Sequence, residues 1–277
     1  MADRADGVVV AAALVPGFPH LLAHNPAPSW KALGEAAAGV GDEIRRAGAD
    51  ALLMISTQWF TVLGHQFQVD PNPRGRHVDE NWYDFDFGRF DFDIHTDVEL
   101  TTAWAGEAER DGFQTRLTNY AHFPIDTGTL TAKALLDPDE RLPVSLMSVN
   151  LYAGETDVRG LGAAARRAAT ALGRRVAVVA VSGLSSGWTN RWITPDEDRF
   201  ERADHDEWNR RLLDLLAEGQ VDEVLGLRDE YAAACQVDSQ FRALPFLVGA
   251  ASVDGPAEVT AYGPVWGAGA AVVTWRV

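Results

Sequence analysis

Ala51-Leu-Leu-Met-Ile-Ser-Thr-Gln-Trp-Phe60 decides the reading of the fold, because an apolar run gives way abruptly to Ser56, Thr57 and Gln58. The run is too short for a complete globular helix and reads as a buried strand from Ala51 to Thr57. In an open α/β sheet the carboxyl ends of the strands face the ligand crevice. Gln58 therefore stands where chemistry usually happens.

The chain on either side supports this. Val8 to Val15 reads as a first core strand, stopped by Pro16-Gly17 and followed by the loop Phe18-Pro19-His20. A helix runs from about Ser29 to Ala47, with Ser29 as cap and Trp30, Leu33, Val40 and Ile44 on one face. Asp97 to Asp111 reads as a helix, Thr118 to Thr127 as a polar turn, Leu142 to Leu151 as a strand and Val158 to Leu172 as a helix. The β-branched strand Arg175 to Val181 runs into Ser182-Gly183-Leu184-Ser185-Ser186. Helices follow over Arg199 to Glu218, Val221 to Ala233 and Gln240 to Ala251, then strands over Ala257 to Tyr262 and Gly269 to Val277. There is no repeat, low-complexity tract or Pro/Ser-rich linker. The alternation predicts a single-domain α/β sandwich over residues 1–277, with a central mixed sheet flanked by helices and an antiparallel pair at its end.

One stretch departs from this rhythm. From Asp70 to Asp97 prolines, glycines and charges alternate with Trp82, Tyr83, Phe85, Phe87, Phe90 and Phe92. It reads as a long ordered excursion over residues 70–97 that covers something.

The 277 residues are 47% apolar, enough for a sizeable core, and carry a formal charge of −16. That charge repels phosphate backbones and anionic lipid, so nucleic acid and membrane surfaces are poor partners. Cys235 is the single cysteine, which excludes an internal disulfide and Cys-rich zinc sites and suits a reducing cytoplasm. Val8 to Val15 lacks a cleavage motif and is much too short to span a bilayer.

Three strand ends carry polar groups: His20, Gln58, and Ser182 to Ser186. Convergence at one crevice is the functional reading; satisfaction of loop backbone groups is the ordinary one for His20 or Gln58 alone. His77, His95, Asp79, Glu80, Asp84, Asp86, Asp91 and Asp93 suggest a metal cluster, but with no recognised ligand spacing an acidic lid with aromatic anchors is the better reading. Gly183 and Gly187 bracket Ser185 as in a nucleophile elbow. No helix signal follows and His205 is the only later histidine, which argues against a serine hydrolase. Gly263 to Gly269 lacks the lysine of a phosphate loop and reads as a tight hairpin, with Glu258 in the preceding strand pointing inward.

Phe18-Pro19-His20-Leu21, Ser56-Thr57-Gln58-Trp59, His77-Val78-Asp79-Glu80-Asn81-Trp82-Tyr83, His122-Phe123-Pro124-Ile125-Asp126-Thr127-Gly128 and Tyr262-Gly263-Pro264-Val265 resemble the class III extradiol ring-cleavage dioxygenases, the family of protocatechuate 4,5-dioxygenase. The resemblance covers nearly all of the chain. Within the family it is greatest to the α subunits of 2-aminophenol 1,6-dioxygenases.

The resemblance implies Fe(II) held by two histidines and a glutamate, with open positions for a phenolic substrate and O₂, and a further histidine as acid and base. It matches His20 to the first metal histidine and Glu258 to the carboxylate. At the second metal histidine this chain has Gln58, and at the acid-base histidine it has Ser186. An amide oxygen is a much weaker ligand than imidazole, and a serine hydroxyl does not exchange protons near neutral pH. The expectation is the fold with an incomplete metal site: a non-catalytic α-like subunit beside an iron-bearing β-type homologue, acting on an aminophenol or catechol. One alternative is an independently active Fe(II) enzyme using a third ligand such as His65 or the candidate pocket residue His122. Another is a binding or structural protein without a dioxygenase partner. Assembly as a hetero-oligomer or a homodimer stays open, and the aromatic excursion, with Trp82 and Tyr83, is a candidate subunit contact.

Overall fold

A computed structural model describes residues 8–82, 84–120 and 125–277. The strands are β1 (Val8–Val15), β2 (Ala51–Thr61), β3 (His65–Gln68), β4 (Arg74–Val78), β5 (Arg89–Asp93), β6 (Thr115–Thr118), β7 (Val144–Asn150), β8 (Arg175–Val181), β9 (Ala257–Val265) and β10 (Ala268–Trp275). The helices are α1 (Pro28–Arg46), α2 (Val98–Arg110), α3 (Thr127–Leu136), α4 (Glu155–Leu172), α5 (Ala203–Ala217), α6 (Val221–Cys235) and α7 (Ala243–Ala251).

Eight strands form one mixed sheet in the order β6-β3-β7-β2-β8-β1-β10-β9. Its centre is parallel, with β8 lying between β1 and β2, while β10 and β9 close one side antiparallel. The central strands are buried on both faces, as their continuous apolar runs require. α1 and α3 cover one face: Trp30, Leu33, Val40 and Ile44 pack there with Leu52, Met54, Val179 and Val272. α2, α4 and α7 cover the other, where Trp104, Leu161, Phe246 and Leu247 meet Leu53, Ile55 and Val178. This is the mixed sheet flanked by helices that the pattern predicts.

Several boundaries differ from the sequence reading. β2 continues to Thr61, so Gln58 lies within the strand's last stretch, beside an irregularity in its pairing with β7 between Ser56 and Phe60. α1 starts at Pro28, and Ser29 donates its Oγ to the Pro264 carbonyl instead of capping the helix. α3 was not expected; Asp126 caps it, accepting from the Thr129 amide and hydroxyl. The excursion contains a two-stranded antiparallel hairpin, β4-β5, with its aromatics on the turn and on β5. β9 and β10 meet at a two-residue turn, Trp266-Gly267, both at positive φ as such hairpins demand. Pro264 is tolerated because β9 is an edge strand.

Candidate functional site

The carboxyl ends of β1, β8 and β2 are neighbours, so the residues after them converge by topology alone. Gln58 reaches across to donate its Nε2 to the Gly17 carbonyl at 3.0 Å. Two glycines permit the approach: a Cβ on Gly17 would lie 2.6 Å from Gly128 Cα, and one on Gly128 would lie 2.8 Å from Ser56 Oγ and 3.0 Å from Gln58 Cδ. Ser56 in turn donates to Asp126, the cap of α3, at 2.6 Å.

Beyond these ends is a cavity of about 220 Å³, with Gln58, Ser186 and Asp238 among its polar lining and Phe18, Trp82 and Trp188 among its aromatic lining. Ser182 to Ser186 is held there by backbone hydrogen bonds, Leu184 donating to Gly269 and Ser186 to Cys235. Asp238 is a functional candidate that the sequence reading missed. Its Oδ2 accepts from Thr57 Oγ1 at 2.7 Å and from the Gly183 amide at 2.8 Å. Burial pushes its pKa up, and the hydrogen bonds from Thr57, Gly183 and Ser182 oppose that rise. No motif marks it; Asp238 follows α6, and only the fold carries it to the strand ends.

His20 is fully buried but stands behind the aromatic lining. Its ring lies 4.3 Å from Trp82, 4.7 Å from Phe87, 4.8 Å from Trp30 and 5.8 Å from Trp266, between ring centroids. Neither ring nitrogen has a hydrogen-bond partner among the described residues. Desolvation lowers its pKa to about 3, so the ring is neutral.

Glu258 does not point inward. It is exposed near the start of β9, paired with Thr274, and lines a separate groove with Val10, Glu43 and Arg276. Eight residue steps, nearly the whole of β9, carry the chain from it to Trp266, roughly 26 Å. The correction follows from register: the carboxylate sits at the opposite end of the strand from the turn that touches His20. His65 is buried against Phe113, with Asp157 of α4 nearby, on the other face of the sheet from the His20 box. His122 and Tyr83 lie outside the described residues.

The excursion closes over this region. Its turn lays Trp82 and Phe87 against His20, and Phe85 stacks on Trp192 with centroids 5.7 Å apart. The chain of hydrogen bonds from His77 Nε2 through Thr127 Oγ1 to Asp79 Oδ2, each 2.8 Å, ties it to α3. Glu80, Asp84, Asp86, Asp91 and Asp93 face solvent. Ser185, bracketed by glycines, is buried and accepts from Asn209 at 2.9 Å, and no α-helix begins between it and Ala203. That arrangement does not match a nucleophile elbow.

A shared Fe(II) needs three ligands within about 2–2.3 Å. His20, Gln58 and Glu258 do not provide them together: one is boxed by indoles, one offers only a weakly ligating amide oxygen, and one is at the far end of β9. Among the described residues no group of three or more His, Cys, Asp or Glu side chains is placed to hold a metal.

The chain thus presents a mixed sheet with a crevice at its parallel strand ends, closed by an aromatic hairpin. Residues 15–272 match the family described as the catalytic LigB subunit of aromatic ring-opening dioxygenase, and the chain belongs to that family. It is 35% identical to the 2-aminophenol 1,6-dioxygenase alpha subunit of a Pseudomonas sp., over 97% of this chain and 99% of that one. It is 30% identical to the beta subunit of that enzyme from a Pseudomonas sp., over 99% of this chain and 95% of that one. In structure it is similar to the uncharacterized protein JW3007 of Escherichia coli K12, with a TM-score of 0.67 at 13% identity, covering 96% of this chain and 99% of the other. That likeness concerns the fold alone. No helix among the described residues is long and apolar enough to cross a membrane.

Proposed function

We propose that this chain is the non-catalytic, α-like subunit of a ring-cleaving dioxygenase acting on an aminophenol or catechol, and that it supports an iron-bearing homologue of the same fold. The observation that carries this reading is the dispersal of the three residues that the resemblance matches to iron ligands: Gln58 offers an amide whose nitrogen is tied to Gly17, His20 is boxed by aromatics, and Glu258 lies some 26 Å along β9 from the box. Ser186 lines the cavity without an acid-base group to offer near neutral pH.

Two observations support a subunit role. Two relatives that span nearly the whole chain are named as the alpha and beta subunits of 2-aminophenol 1,6-dioxygenase. The turns following β2 and β7 leave Leu63 80% and Tyr152 79% exposed, beside Phe60 and Val62, and such apolar patches mark protein contacts. Trp82, by contrast, is engaged with His20, Phe87 and Trp266, so the excursion's anchors serve the site itself.

The test is to express the chain alone, load it anaerobically with Fe(II), and measure bound iron and ring cleavage. We expect far less than one iron per chain and no turnover, with both appearing when the homologous subunit from the same host co-purifies. Stoichiometric iron with turnover by the chain alone would overturn the proposal. Pull-down from the host without any dioxygenase homologue would favour a free-standing binding protein.

A further inference from the structure

We propose that the paired turns after β2 and β7 are the face on which the homologous subunit docks, through an uncharged apolar contact anchored by Leu63 and Tyr152. This rests on the subunit reading above and adds to it where the two chains meet.

The face is built before any partner arrives. β2 and β7 are parallel neighbours, so Phe60, Val62 and Leu63 emerge beside Leu151 and Tyr152, all of them exposed. The Gly64 carbonyl accepts from Thr61 Oγ1 at 3.0 Å and from Asn150 Nδ2 at 2.8 Å, and the Leu151 amide donates to the Thr61 carbonyl at 2.9 Å. These bonds lock the two turns together. Arg242 holds the second turn from behind, donating Nε to the Ala153 carbonyl at 2.8 Å and Nη2 to the Leu151 carbonyl at 2.5 Å. It is buried, and its other acceptors, the Ser239 carbonyl and Gln240 Oε1, are neutral as well. A buried guanidinium without a carboxylate is costly, and what it secures here is the shape of this turn. Apolar side chains on so fixed a backbone lose little freedom on docking, which is what interface anchors require.

Charge points to the occupant. No Asp, Glu, Lys or Arg occurs from Ala51 to Val69 or from Leu142 to Gly154, in a chain whose formal charge is −16. The first acids of α4 are engaged, Asp157 with the Gly154 amide at 3.0 Å and Glu155 facing Arg228 at 3.9 Å. An uncharged apolar centre with charges at its rim suits a protein partner and offers nothing to a phosphate backbone. Relatives of both subunit types match this chain over nearly its whole length, so a partner of that kind has the same sheet and can meet these turns with its own. Two copies of this chain would do so against the mutual repulsion of two charges of −16. The homologous subunit is therefore the occupant.

The purified chain is titrated by interferometry against the purified homologous subunit encoded by the same host, in about 0.1 and about 0.5 M NaCl, and light scattering gives the mass of the complex. The expected result is a mixed complex whose affinity changes by less than about threefold between the two salts, because an apolar contact is not screened. Leu63→Ala and Tyr152→Ala should each weaken it by about thirtyfold, the loss of one anchor, and Lys31→Ala, on the exposed side of α1, should leave it unchanged. Both anchors are exposed, and thermal melts establish that each variant is folded. A mixed complex unchanged in both variants, or weakened by more than about tenfold in high salt, would overturn the face and leave the subunit assignment standing. A homodimer lost in the same variants, with no affinity for the homologue, would overturn the choice of partner and give the face to a second copy. Absence of any complex with the wild-type chain would overturn this inference and the subunit assignment together.

Discussion

Gln58 donates its side-chain amide to the Gly17 carbonyl at 3.0 Å, which ties the last stretch of β2 to the loop leaving β1. The side chain serves as a structural strut. Introducing by Gln58→His the histidine that the resemblance implies for this position would therefore leave His20 in its box and Glu258 remote. Bound iron after anaerobic loading and desalting should stay far below one per chain, as read by elemental analysis. Near-stoichiometric iron in this single variant would show that the other two positions rearrange readily.

His20 makes the fold sensitive to mild acid. Its folded pKa, lowered to about 3 by burial, lies below the unfolded value of about 6.5, so the unfolded chain binds the proton first. Stability is at its full value above pH 6.5 and falls as the pH drops toward 3, by at most about 1.4 kcal/mol per pH unit from this residue. Urea midpoints measured from pH 7 to 4 should slope less in His20→Phe than in the wild type. Parallel slopes would mean that the ring titrates freely.

Lys133 and Asp137 form a buried ion pair at 2.5 Å on the inner side of α3. Burial pushes the Asp137 carboxyl up, but the hydrogen bonds from Lys133 and from the Leu142 and Arg141 backbone outweigh it and hold its pKa below the usual carboxylate range. That stability is present above the unfolded pKa of about 4 and is lost as pH falls through the lower folded value. Lys133→Met strands the carboxylate and should cost about 3–5 kcal/mol in chemical denaturation. The double variant Lys133→Met/Asp137→Leu should recover most of it; equal losses in both would place the effect in packing.

Asp198 gathers three donors: Trp30 Nε1 at 2.6 Å, the Trp266 amide at 2.8 Å and the Gly267 amide at 2.9 Å. It thus joins α1 to a turn in which Trp266, a large residue, sits at φ 51°. Asp198→Ala leaves those donors unpaired and should lower stability by about 3 kcal/mol, with a shift in tryptophan emission. An unaltered denaturation curve would show that packing alone holds the turn.

The parts of this architecture legible in the sequence are those in which one segment suffices. Ala51 to Ile55 and Val176 to Val181 announce buried parallel strands; the His20 loop and Ser182 to Ser186 stand out because they come after strands, and Gln58 because it breaks an apolar run near the end of one. α3 did not, because it is buried nearly all round, so Thr127 to Leu136 carries no amphipathic stripe; its Asp126 cap was the available signal. Phe90 and Phe92 alternating with Arg89, Asp91 and Asp93 were a strand signal for β5, obscured by the charged surroundings. Asp238 and Glu258 fail in opposite directions. The one enters the crevice from a connection after a helix, and the other leaves it because strand register, invisible locally, fixes which end of β9 meets the site.

The walls around His20 come from Trp30, from the 82–87 turn and from Trp266, segments separated by most of the chain. Such an enclosure cannot form by local collapse; loop closure across these distances must come before any of its contacts is rewarded. Three indoles packed on one neutral imidazole therefore act as an internal clock for folding. Their emission reaches its native value only when the first and last strands of the sheet have met.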